Sequence, residues 1–144
     1  MKKTTYKSAT QYLKNFGFMV TEHESNQGKC CYAEKEESSP TLINDCGRGL
    51  VFLSKISWTK YSHMDGDLLL FLVNTLNSDS KCSSYTLLDD LAIKVKAVYM
   101  GSYSKEKFAE FLEDWAWDTT ELIFSDSSSV IMHLMNNSNE LAHA

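Results

Sequence analysis

The segment from Leu91 to Met100 constrains the fold most, because apolar and charged side chains alternate along it. Its alternate apolar positions are Leu91, Ile93, Val95, Ala97 and Tyr99. On a β-strand these residues share one face, and Lys94 and Lys96 lie on the other. A strand with one buried and one wet face is typical of an antiparallel sheet. We therefore predict an α+β fold in which helices pack on an antiparallel sheet.

Three other stretches repeat apolar residues at helical spacing, and two of them begin with residues that can cap a helix. We expect helices over about residues 5–16, 62–76 and 104–124. Thr4 or Thr5 can cap the first helix, and Ser104 can cap the third. The Ser-rich residues 125–129 are expected to break the last helix.

The remaining apolar runs are short and bounded by turn-forming residues, which favours strands. We predict about five strands, over residues 18–24, 29–34, 50–58, 82–88 and 91–100. The first two form a hairpin, and the last two form a second hairpin around Asp89 and Asp90. Residues 36–49 hold the only proline and several turn formers, so we expect a long loop there. The predicted order is α-β-β-β-α-β-β-α.

Length and charge limit the classes of protein to which the chain can belong. With 144 residues, we expect one domain over 1–135 and a flexible tail over 136–144. The net charge of −5 and the scattered basic residues argue against a nucleic-acid partner. The longest apolar run, residues 68–73, is too short for a membrane span, and the basic start lacks an apolar signal core. We therefore expect a cytoplasmic protein with free thiols.

No residue pattern in the sequence is typical of catalysis or of cofactor or metal binding. Cys30 and Cys31 are adjacent on a predicted strand and point to opposite faces, which argues against a shared metal ion. His23 lies between two glutamates that would face away from it. Asp89 and Asp90 are interpreted as turn formers and not as a catalytic pair. We expect no catalytic residue, no cofactor and no metal site.

The tryptophans are the candidates for contact with a partner, because tryptophan is enriched at interface anchors. Trp115 follows the apolar spacing of the third helix and is expected in the core. Trp117 is two residues further on, so it faces about 200° away from Trp115 by the α-helical period. We predict Trp117 and Trp58 as partner-binding residues, with core packing as the alternative.

The order of elements in this acidic chain resembles the type III secretion chaperone-like fold, and within it the YbjN family, named for a proposed role as bacterial sensory transduction regulators. The similarity is clearest in the stretch from Leu69 to Asn77, in the acidic turn at Asp89 and Asp90, and from Gly101 to Phe108. The resemblance implies a homodimeric, cytoplasmic protein that acts by binding other proteins. It implies no catalytic residues.

Three kinds of function remain open at this point. The first is a non-enzymatic protein-binding adaptor, either chaperone-like or regulatory, which an open sheet edge and apolar surfaces would serve. The second is a small-molecule-binding domain or an enzyme, which would need a concave pocket with convergent polar groups. The third is an immunity-type protein that neutralises a basic partner through charge complementarity. The adaptor is the leading hypothesis.

Overall fold

The computed structural model describes residues 4–26, 28–57 and 66–128. Its helices and strands, in chain order, are α1 (Thr5–Asn15), β1 (Met19–Ser25), β2 (Gly28–Glu34), β3 (Thr41–Asp45), β4 (Gly49–Ile56), α2 (Gly66–Asp79), β5 (Ser84–Leu87), β6 (Ile93–Met100) and α3 (Lys105–Thr119). Residues 121–128 are again helical. The predicted α+β class, with helices on an antiparallel sheet, is confirmed.

The helices begin where the sequence supplies caps. The Thr4 hydroxyl accepts the Lys7 backbone N–H at the start of α1, and the Ser104 hydroxyl accepts the Lys107 N–H at the start of α3. α1 ends at Asn15, two residues before Gly17, whose φ is +88°. That backbone conformation is open to glycine at little cost. The predicted N-terminal caps of α1 and α3, Thr4 and Ser104, are therefore confirmed.

The sheet has six strands in the order β1-β2-β3-β4-β6-β5, and every neighbouring pair is antiparallel. The register joins Cys31 to Ile43, Ile43 to Phe52 and Phe52 to Ala97. All four side chains are buried. This row therefore marks the face on which the helices pack.

The core lies between that face and the three helices. Phe52 of β4 is at its centre, with edge-to-face contacts to Phe111 at 4.9 Å and to Trp115 at 5.6 Å between ring centroids. Phe108 of α3 contacts both Phe52 and Tyr99. Such aromatic pairs stabilise a core beyond the effect of their buried area. Trp115 is therefore a core residue, as predicted.

The faces predicted for Ile93 to Met100 are confirmed, but Leu91, which was predicted in the strand on the buried face, is exposed in the turn before β6 and has a φ of +65°. Ile93, Val95 and Tyr99 are buried on the helix-covered face, whereas Lys94 is half-buried and Lys96 exposed on the other. β5 pairs with β6, and the connection turns at Asp89 and Asp90 as predicted.

The loop predicted over residues 36–49 is wrong in part, because it contains the sixth strand, β3. β3 has only five residues, follows Pro40 and ends at Asn44 and Asp45, so its own propensity for strand is weak. It forms because β2 and β4 pair with it on both sides. Backbone pairing in the sheet overrides the local turn-forming composition.

The last helix begins as predicted, but the predicted position of its break is wrong. α3 ends at Thr119, not near Phe124, and residues 125–128 are helical although they are rich in serine. The Thr119 and Thr120 hydroxyls donate to the carbonyls of Trp115 and Ala116, a pattern that competes with the backbone and bends helices. Residues 130–135 and the predicted tail over 136–144 lie outside the described residues.

Candidate functional site

The face of the sheet opposite the helices is the candidate site, and we call it the open face. It carries every second residue of the strands, and within residues 4–26, 28–57 and 66–128 no helix packs on it. Tyr32 is 46% exposed, Val98 41% and Met100 66%. Exposed apolar side chains grouped on one surface are typical of interaction sites.

The open face is organised in rows of cross-strand neighbours. In the middle row Tyr32 of β2 lies opposite Leu42 of β3, and Leu42 lies opposite Leu53 of β4. The next residue in this row is Lys96 of β6. Since neighbouring strands are about 4.8 Å apart, the three apolar side chains form a strip about 10 Å long that ends at a lysine.

A second row runs beside the first and begins at the outer strand. His23 of β1 lies opposite Cys30, Cys30 lies opposite Asn44, and Asn44 lies opposite Val51. The His23 ring meets the Tyr32 ring edge to face, at 6.1 Å between centroids. No hydrogen bond joins His23, Cys30 and Asn44 in the described part of the chain. The row therefore extends the surface without forming a catalytic dyad.

A shallow groove of about 370 Å³ lies along this face. Its apolar lining includes Tyr32, Leu42, Leu53 and Leu88. Lys55 and Lys94 line it as well. A mostly apolar concavity with a few charged groups is the usual form of a binding site.

Lysines give the open face a positive border. The Lys55 ammonium lies 2.7 Å from Asp90 Oδ2, so its charge is partly neutralised. That contact and a hydrogen bond to the Ala92 N–H hold the pKa of Asp90 below its usual range. Lys94 and Lys96 make no ion pair within the described residues. The lysines outnumber the acidic Glu34 of β2 on this face, in a chain whose net charge is −5.

The four cysteines are free thiols in the structure. Burial raises the pKa of Cys31 to about 11 and that of Cys82 to about 12, which keeps both protonated and unreactive at neutral pH. Cys31 is buried on the helix-covered face and Cys30 lies on the open face, as their adjacency on a strand requires. No group of three or more metal-ligating side chains occurs among the described residues.

The two predicted partner-binding residues have different outcomes. Trp58 lies outside the described residues. Trp117 is half-buried against the core, and the Lys81 ammonium lies 4.8 Å from the centroid of its ring. The α-helical period places Trp117 about 200° from Trp115, but Trp117 still packs against the core, and Lys81 covers part of its ring. Its contact with a partner stays a prediction.

Sequence reasoning assigned no role to Asp118, which is fully buried in α3. Its Oδ1 accepts the backbone N–H of Lys81 at 2.9 Å, and its Oδ2 accepts those of Cys82 at 2.9 Å and Ser83 at 3.0 Å. The Tyr85 hydroxyl donates to the Asp118 carbonyl at 2.6 Å. We call this set the Asp118 clasp. Because backbone donors occupy both carboxylate oxygens, Asp118 is structural and not a free acid or base.

Comparison with known proteins bears on the fold. No family model and no curated protein matches the sequence. Among solved structures, the chain is similar to YbjN from E. coli, which is described as a candidate transcription regulator. The TM-score is 0.58 at 15% identity, over 86% of this chain and 92% of YbjN. The protein therefore has a YbjN-like fold. Identity this low extends the likeness no further than the fold.

No helix in the described part of the chain is long and apolar enough to cross a membrane.

Proposed function

We propose that this protein is a non-enzymatic adaptor that binds an extended acidic segment of another protein on the open face. The observation that carries the proposal is the apolar strip of Tyr32, Leu42 and Leu53, bordered by Lys94 and Lys96 in a chain of net charge −5. The YbjN-like fold and the description of YbjN as a candidate regulator support a role in regulation.

Affinity would come mainly from the apolar strip. Burying apolar surface contributes about 25 cal/mol per Å², so covering three large, partly exposed side chains supplies most of the free energy of a weak complex. Exposed ion pairs contribute only about 0.2–1 kcal/mol each. The lysines therefore contribute mainly to the choice of acidic segments and to the association rate, and less to the affinity.

A binding assay with short peptides tests the proposal. Fluorescence anisotropy would compare a labelled decapeptide of alternating Glu and Leu with its Lys-Leu and Glu-Ser counterparts. We expect the wild type to prefer Glu-Leu, because only that peptide matches both the strip and the lysines. The double variant Lys94→Glu/Lys96→Glu should prefer Lys-Leu.

A matched control and two opposing outcomes make this test sharp. Lys105→Glu/Lys107→Glu makes the same charge change on α3, away from the open face, and should keep the preference for Glu-Leu. Equal binding of Glu-Leu and Glu-Ser would contradict the role of the apolar strip. Tighter binding of a DNA duplex than of any peptide would contradict a protein client.

We also propose a homodimer, which the resemblance to the YbjN family implies. The exposed Leu70 and Phe71 of α2 supply apolar surface for it, with Trp117 as a further contact. Truncating a contact that anchors the dimer should weaken association by about 2 kcal/mol. Sedimentation of wild type, Leu70→Ser and Trp117→Ala over a dilution series measures this. A wild-type monomer at high concentration would contradict the dimer.

A cytoplasmic location fits the free thiols, and we propose it for this protein. An immunity-type role against a basic partner is less well supported on the open face, because Lys94 and Lys96 would repel such a partner there.

A further inference from the structure

A cavity of about 80 Å³ lies on the helix-covered side of the sheet, beneath α3. Its inner walls are the buried side chains of Leu13, Ala33, Ile43, Phe52 and Trp115. The sheet separates it from the open face, so its contents do not depend on the proposed adaptor function. Most of its lining is apolar, and this limits what can occupy it.

The polar side chains of the inner walls already have partners, whereas Glu37 and Ser38 lie at the mouth. Trp115 Nε1 donates to Thr41 Oγ1 at 3.1 Å, and that hydroxyl donates to the Ser39 carbonyl at 3.1 Å. The Thr119 hydroxyl donates to the Trp115 carbonyl at 2.8 Å. A buried water needs two to four polar partners, and these walls present no free side-chain donor to it. The chemistry of the walls therefore favours an apolar occupant.

The mouth of the cavity lies between α3 and the connection from β2 to β3. Glu37, Ser38 and Ser39 form one lip, and the exposed Ala116 lies on the other. Glu37 has a φ of +64°, a left-handed conformation that is strained for a residue with a side chain. The Ser39 hydroxyl donates to the Thr119 carbonyl at 3.1 Å and holds the two lips together.

We infer that this cavity binds a molecule presenting a short branched alkyl group. The volume exceeds the roughly 30 Å³ share of one water and is about half that of a cavity of about 150 Å³ that holds benzene in another protein. Scaled from the six carbon atoms of benzene, the matching size is about three carbon atoms, which is an isopropyl group, with any polar end left at the mouth. An anionic ligand is disfavoured, since Glu37 lies at the mouth, no lining residue is a cation, and the nearby Lys35 ammonium lies over the Phe18 ring at 5.3 Å from its centroid.

Titration of ¹⁵N-labelled protein with xenon, isobutanol and isobutyrate tests this inference. We expect xenon and isobutanol to shift the Trp115 indole N–H signal saturably, while the Trp117 indole acts as an internal control and stays in place. Isobutyrate should bind at least tenfold more weakly than isobutanol, because its charge must leave water near Glu37.

A filled-mouth variant makes the test specific. Ala116→Leu places a larger side chain at the mouth and should weaken isobutanol binding at least tenfold. Ala109→Leu makes the same change on the same side of α3, away from the lining, and should bind as the wild type does. Circular dichroism checks the fold of both variants.

Two results would overturn the inference, and the first needs no variant. Equal, non-saturating shifts of the Trp115 and Trp117 indoles would mean that the ligands do not enter the cavity. Undiminished binding to a folded Ala116→Leu variant would place the site elsewhere.

Discussion

The Asp118 clasp joins α3 to the connection between α2 and β5, and an isosteric substitution removes one of the three hydrogen bonds that its carboxylate accepts. The carboxylate accepts three backbone N–H groups, at 2.9 Å from Lys81, 2.9 Å from Cys82 and 3.0 Å from Ser83. An asparagine has one acceptor oxygen and two N–H donors. If that oxygen still accepts the Cys82 and Ser83 N–H groups, the side-chain NH₂ faces the Lys81 N–H. Two donors then meet, and the Lys81 N–H has no acceptor.

The magnitude follows from those contacts. A hydrogen bond to a charged group contributes about 1.5–3 kcal/mol, and a buried donor without a partner costs about 1–3 kcal/mol. We expect Asp118→Asn to lower the free energy of unfolding by about 2–4 kcal/mol. Asp118→Ala leaves all three donors without an acceptor and should cost about 4–5 kcal/mol, at the upper end for single substitutions.

Urea unfolding followed by tryptophan fluorescence measures these losses. Asp114→Asn is the matched control, because it removes the same charge one turn earlier on α3 and should change the free energy of unfolding by less than about 0.5 kcal/mol. Hydrogen exchange should also become faster at the Lys81, Cys82 and Ser83 amides in Asp118→Asn. Equal stability of the Asp114→Asn and Asp118→Asn proteins would refute the reasoning.

Two further predictions concern a close backbone approach and a buried acid. A Cβ at Gly49 would lie 2.2 Å from the Tyr99 carbonyl oxygen, so Gly49→Ala should separate β4 from β6 and lower the free energy of unfolding by more than about 3 kcal/mol. Gly47 has a φ of +81° and nothing within 4 Å of the added Cβ, so Gly47→Ala should lower it by only about 1–2 kcal/mol. Thermal unfolding measures both losses. Equal losses would contradict this. Burial and the neighbouring Asp79 raise the pKa of Asp126 to about 6. Its protonated form therefore favours folding below about pH 4, and that contribution is lost as pH rises through 6. Asp126→Asn should raise the free energy of unfolding at pH 7 by about 1–3 kcal/mol, and an unchanged pH profile would argue against the shift.

The sequence predicted the elements in which local pattern and tertiary packing agree. The alternation around Val95 placed the strand and its faces, and Ser104 placed the start of α3, because each signal is carried within a few residues. β3 was missed because its strand conformation depends on pairing with β2 and β4, which a pass along the chain does not contain. The serine-rich residues 125–128 were misassigned because a serine hydroxyl can donate to a backbone carbonyl one turn earlier in the same helix. Ser127 donates to the Ile123 carbonyl in this way.

The candidate site was less predictable than the fold. The middle row joins Tyr32, Leu42 and Leu53 from three strands, one of which was predicted as loop. Asp118 looked like an ordinary helix acid, because its partners are backbone groups about 35 residues earlier in the chain. Its position in the sequence could have predicted that it is buried, because Asp118 lies one turn beyond Trp115 on the apolar side of α3.

The most direct test of the proposed function is a chemical-shift map of the wild-type protein titrated with the Glu-Leu decapeptide. Along one strand, successive residues point to opposite faces, so each open-face residue has a built-in control next to it. We predict saturable shifts of the side-chain signals of Leu42, Leu53 and Lys96, and little change at Ile43 and Phe52, which point into the core. Shifts confined to the helices, or none that saturate, would contradict binding on the open face.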